Sequence, residues 1–123
     1  MENLFLEKSA KTPCINFNAR KGRLIIEGRS IPEDAMSFYH PIFHWLDQYQ
    51  NAAQDTTTIE FRLEYFNTSS SKCIVEILRR LETIHVEKNV EVTWFYESDD
   101  EDMQESGEDF MHLVDLPITF ETF

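Results

Sequence analysis

Between Thr58 and Lys72 the hydrophobic period of the sequence changes once, and that change constrains the fold more than any other feature. Up to Phe66 the pattern alternates: Ile59, Phe61, Leu63 and Tyr65 on one side, Glu60, Arg62 and Glu64 on the other. That is the period of a half-buried strand. After Lys72 the apolar residues Ile74, Ile77, Leu78 and Leu81 recur at helical spacing, with Val75 widening the stripe. The intervening Asn67-Thr68-Ser69-Ser70-Ser71 therefore falls on a strand-to-helix turn. Side chains of these types accept hydrogen bonds from the N–H groups that a helix leaves unpaired at its start.

The rest of the chain supplies partners for this βα unit. Leu4 to Lys8 reads as a short edge strand, and Thr12-Pro13 as an extended lead into a strand at Cys14–Phe17. Lys21-Gly22 signals a turn, and Arg23–Glu27 completes a hairpin. Ser30 and Glu33 stand at capping-box spacing with Pro32 between them, which predicts a helix from about 33 to 50. Its apolar stripe is Ala35, Phe38, Tyr39, Ile42, Trp45, Leu46 and Tyr49, and Pro41 inside it predicts a kink or a split. A second helix is expected over residues 69–85, with Lys72, Arg79 and Arg80 as a local basic surface. A strand follows at Val90–Tyr96, and apolar pieces between Leu113 and Phe120 predict a return to the sheet. The resulting expectation is one domain over residues 1–123, α/β in class. Its mixed sheet of four or five strands would carry helices on one face in a two-layer sandwich.

Charge restricts the partners. The net charge of −12, from 23 acidic and 11 basic residues, disfavours nucleic acid and anionic membrane surfaces. A protein partner with a basic surface is the natural complement. The N-terminus has no apolar signal region, no segment is long enough to insert in a bilayer, and the two cysteines lack metal spacing. A soluble, cytoplasmic protein is expected. Residues 97–109 hold eight acids and no base: Glu97, Asp99, Asp100, Glu101, Asp102, Glu105, Glu108 and Asp109. Such a run reads as a solvated acidic loop. Asp99–Asp102 could also offer oxygen ligands to a divalent cation, with Gly107 as a sharp turn, although the spacing is not that of an EF-hand. The third reading is docking to a basic patch. His40 and His44 are one turn apart, without a third metal ligand nearby. No phosphate-binding glycine loop, Cys/His cluster or assignable nucleophile is present, so catalysis is not expected and no cofactor is implied.

The hydroxyl cluster at the turn has two readings of its own. Plain capping accounts for it. So does a phosphorylation switch, because a phosphate of charge about −1.5 to −2 is well received at the positive end of a helix dipole. Spacing alone does not choose among Thr68, Ser69, Ser70 and Ser71.

Three motifs in order, GRSIPE at 28–33, YFNTSSSK at 65–72 and WFYESDDEDMQESGED at 94–109, resemble the SiaC family of bacterial regulatory phosphoproteins, with the likeness running from about Thr12 to the C-terminus. The resemblance implies a partner switch phosphorylated on Thr68 by a dedicated Ser/Thr kinase and reset by a PPM-type phosphatase. It further implies that the unphosphorylated form binds and activates a diguanylate cyclase, promoting cyclic-di-GMP synthesis and biofilm formation. Asn67, Ser69, Ser70, Ser71 and Lys72 would then frame the phosphosite. Arg29 and Ser30, with Asp99, Asp100, Glu101, Asp102, Glu105, Glu108 and Asp109, would be docking residues, and for the acidic run docking is favoured over metal binding. By layout alone the fold is similar to STAS-type anti-sigma-factor antagonists, so a partner switch of that type with another output is the alternative.

Overall fold

Strands with one apolar face form a sheet where those faces line up in register, and in this protein the rows of the register hold the core. The computed structural model describes residues 1–123. Strands β1 (Leu4–Leu6), β2 (Cys14–Asn18), β3 (Arg23–Ser30), β4 (Thr56–Phe66), β5 (Asn89–Tyr96) and β6 (Ile118–Thr122) lie side by side in chain order. The pairs β1–β2 and β2–β3 are antiparallel, and the pairs from β3 to β6 are parallel. Six strands are present rather than four or five, because both short edge segments pair.

Parallel neighbours need a crossover. Three helices supply it: α1 (Ala35–Tyr49), α2 (Thr68–His85) and α3 (Glu101–Leu113). The register aligns Leu24 with Ile59 and Val92, and Ile26 with Phe61 and Trp94. These residues join one buried cluster with Trp45 and Leu46 of α1, Ile77 and Leu81 of α2, and Met103 and Phe110 of α3. All three helices thus cover one face. On the opposite face Glu60 bridges Arg23 and Arg62, and the Arg62 guanidinium lies 4.0 Å over the Phe95 ring.

Four local expectations change. Ser30 does not start a capping box with Glu33. It ends β3, while Asp34 caps α1 by accepting the Ser37 N–H at 3.2 Å and Glu33 pairs with Lys11. Of the kink or split expected at Pro41, the split does not occur, since Pro41 and Ser37 are on the exposed side, where water can serve the carbonyl that loses its donor. Tyr65 does not continue the apolar face of β4. The register slips between Gly28 and Arg29, so that Gly28 pairs with Leu63 but Arg29 with Tyr65. This bulge turns Tyr65 outward and packs Phe66 against the edge of the core, and it is accommodated by Gly28 at φ 123°, a conformation that side chains resist.

Finally, the acidic segment is largely a helix and not a loop. Met103, Gly107 and Phe110 fall on one stripe and are buried, and Asp100 caps the helix through Met103 N–H at 3.0 Å. Glu101 and Asp102 occupy its first turn, where the helix dipole favours acids. Gly107 is no sharp turn. A Cβ there would stand 2.5 Å from Trp94 Cδ1 and 2.6 Å from Phe120 Cε1, so glycine lets α3 lie close on the sheet.

Candidate functional site

β4 delivers the chain to the turn through Phe66, whose ring packs 6.1 Å from Trp94 and 5.9 Å from Phe110. Asn67 is the N-cap of α2, extended in backbone, and its Oδ1 accepts the Ser70 N–H at 2.9 Å. Its main-chain oxygen accepts the Ser71 N–H. The Thr68 and Ser69 N–H groups remain without an intramolecular acceptor, as the first amides of a helix do.

The structure sorts the four hydroxyls that the sequence left equivalent. Thr68 and Ser69 are exposed, Ser71 is half-buried and donates to the Thr68 carbonyl, and Ser70 is fully buried. Ser70 Oγ donates to the Ser30 carbonyl at 2.9 Å and lies 2.7 Å from Ser30 Oγ, which is 2.6 Å from the Tyr39 hydroxyl. All three residues are solvent-inaccessible. Burial pushes the Tyr39 phenol up to about 12, against the opposing pull of its hydrogen bond to Ser30.

Thr68 and Ser69 face different surroundings. Thr68 lines a groove of 390 Å³ between α2 and α3, with Lys72 on its own wall, Ser106 and Asp109 opposite, and Phe66 and Phe110 between them. Ser69 lines another groove of 380 Å³, shared with Glu33, Asp34 and Glu76. A new negative charge meets one carboxylate in the first groove and three in the second. Lys72 borders both and forms no ion pair. The expected basic surface on α2 reduces largely to this lysine. Arg79 stands 3.9 Å from Glu82, and Arg80 is held by Asp47, Glu76 and the Phe43 ring.

The other candidate residues divide by exposure. Arg29 is exposed at the end of β3, 5.9 Å over the ring of Tyr65. Ser30 beside it is buried, so it is not the docking residue the sequence suggested; its hydroxyl is turned inward to Ser70 and Tyr39. Asp99, Glu101, Asp102, Glu105, Glu108 and Asp109 are exposed, and Asp100 is committed to its cap. No three His, Cys, Asp or Glu side chains converge as metal ligands would, which leaves the cation reading of Asp99–Asp102 without a geometry. No helix is long and apolar enough to cross a membrane. Sequence reasoning missed Tyr39 as a polar partner of the turn and α3 as a wall of the groove. The spacing of Met103, Gly107 and Phe110 carried the second signal, while nothing local carried the first.

A family model described as SiaC family regulatory phosphoprotein matches residues 6–123. An uncharacterized protein of Pseudomonas aeruginosa is 29% identical over 122 residues, 98% of this chain and 97% of that one. Among solved structures, SiaC of Pseudomonas aeruginosa matches with TM-score 0.91 at 27% identity, covering 100% of both chains. A chain in the crystal structure of diguanylate cyclase SiaD in complex with its activator SiaC, from the same organism, matches with TM-score 0.91 at 28% identity over 98% of this chain and 99% of that one.

Proposed function

Because this chain belongs to the SiaC family of regulatory phosphoproteins, we propose that it is a non-catalytic partner switch. Unmodified at Thr68, it binds and activates a diguanylate cyclase in the cytoplasm and so promotes cyclic-di-GMP synthesis and biofilm formation. Phosphorylated there, it releases the cyclase. A dedicated Ser/Thr kinase adds the phosphate and a PPM-type phosphatase removes it. The observation that carries this reading is the exposure of Thr68 at the first position of α2, on the groove between α2 and α3.

The chemistry follows from that position. A phosphate on Thr68 adds about −1.5 to −2 charge beside two free helix N–H groups and one turn before the unpaired Lys72, so α2 itself tolerates it. Asp109 across the groove repels it. A partner seated over the groove would have to desolvate a near-dianion, at a cost of several kcal/mol. The complex is lost while the fold stands. The exposed acids of α3, with Asp99, supply a surface for basic partner residues, and Arg29 with Tyr65 offers a second contact at the ends of the strands.

Pull-down and activity assays with the host's diguanylate cyclase test this. Thr68→Ala retains cyclase binding and activation, whereas Thr68→Glu and the enzymatically phosphorylated protein lose both. Equal binding and activation by all forms would refute the switch.

A further inference from the structure

The sequence presents four adjacent hydroxyls to a kinase, and the buried side of the turn separates them. Ser30 holds the turn at two points. Its carbonyl accepts the Asn67 N–H at 3.0 Å and the Ser70 hydroxyl at 2.9 Å, so its two bonds bracket Thr68 and Ser69. Each hydroxyl has one proton to give. Ser70 gives its proton to that carbonyl, so the 2.7 Å contact between the two serine oxygens is a donation from Ser30 to Ser70. The 2.6 Å contact beyond it is then a donation from Tyr39 to Ser30. Only one proton order satisfies the chain, and no buried side-chain polar atom in the protein is left without a partner. The chain joins β3, α1 and α2 at the point where the phosphosite leaves the sheet.

We infer that this buried Tyr39–Ser30–Ser70 hydroxyl chain is what selects Thr68 for modification, by fixing the rotation of the first turn of α2. Withdrawing Ser70 into solvent, or rolling Ser69 toward the place of Thr68, breaks bonds among groups with no access to water. Leaving one such donor unpaired changes the population of an opened turn by roughly 5- to 150-fold. The three residues touch no reacting atom and are positioning residues. The inference rests on the phosphorylation reading above.

The test combines phosphosite mapping, after reaction with ATP and the host kinase that modifies the wild type, with amide hydrogen exchange of residues 67–72. Wild-type protein carries phosphate on Thr68 alone. Ser30→Ala strands the Tyr39 hydroxyl. In that variant the Ser70 and Ser71 amides exchange roughly 5- to 150-fold faster, and phosphate spreads to Ser69 and Ser70. Adding Tyr39→Phe removes the stranded donor and recovers stability, while phosphate stays spread because the hydroxyl chain is still absent. Val90→Ala, a buried change at the opposite end of the sheet, lowers overall stability without redistributing phosphate. Unchanged exchange and mapping in Ser30→Ala, or equal spreading in Val90→Ala, overturns the inference and leaves the switch intact. A wild type that the kinase leaves unmodified overturns both.

Discussion

Gly107→Ala gives a sharp test of how α3 is seated. On an exposed helix this substitution stabilises by about 1 kcal/mol, because alanine is the better helix former. Here the new methyl carbon would lie 2.5 Å from Trp94 Cδ1, 2.7 Å from Trp94 Nε1 and 2.6 Å from Phe120 Cε1. Trp94 has little room to retreat. It is 2% exposed, its Nε1 donates to the Met103 carbonyl at 2.9 Å, and Phe61 and Phe110 stand 5.4 and 5.3 Å away. Ordinary contact therefore requires α3 to lift by about 1 Å, an overpacking cost of about 1–3 kcal/mol. Stretching the indole hydrogen bond adds about 1 kcal/mol. Set against the propensity gain, the net loss is about 1–3 kcal/mol. For a chain of this length 1 kcal/mol corresponds to about 4 °C, so Tm should fall by about 4–12 °C. Thermal melts followed by circular dichroism measure it, and near-UV spectra report on Trp94. An unchanged or raised Tm would refute the close approach of α3 and, with it, the shape of the groove beside Thr68.

Two further outcomes follow from single groups. The Tyr39 phenol, pushed up to about 12, stays protonated in the folded protein where the unfolded chain begins to lose its proton near pH 10. Its contribution is present in full below pH 10 and is lost as pH rises to about 12, amounting to about 2–3 kcal/mol. Urea unfolding across that range should show the decline, and Tyr39→Phe should flatten it. Asp100→Ala removes the cap on Met103 N–H and should cost about 1 kcal/mol. It would appear as a lower denaturation midpoint at constant m-value.

The architecture was legible wherever an element's own period decided it. β4 and α2 meet where alternation gives way to helical spacing, and the two-layer arrangement follows from their apolar faces. The departures arise where a distant residue decides. The fate of Tyr65 and Phe66 depends on the register slip opposite Gly28, in another strand. Pro41 is tolerated because of where it falls around α1. In α3 the helical stripe is only Met103, Gly107 and Phe110, and one of its three members is a glycine. Eight carboxylates dominate that stretch, so charge pointed to a loop while three small contacts made a helix.

The candidate site divides along the same line. That a capped turn lies at Asn67–Lys72 follows from those residues alone, and Asn67 does cap α2. Which hydroxyls reach solvent does not follow from them, because Ser70 is buried by a serine 40 positions earlier. The GRSIPE stretch was read as the start of a helix, and its serine is instead the anchor of the hydroxyl turn. Two of the three motifs by which the sequence resembles its family are therefore one contact in the folded protein. A hydroxyl at Ser70 without its partner at Ser30 would lack a donor, and Ser30 without Ser70 would lack an acceptor. The contact between them explains why neither motif's role could be read alone.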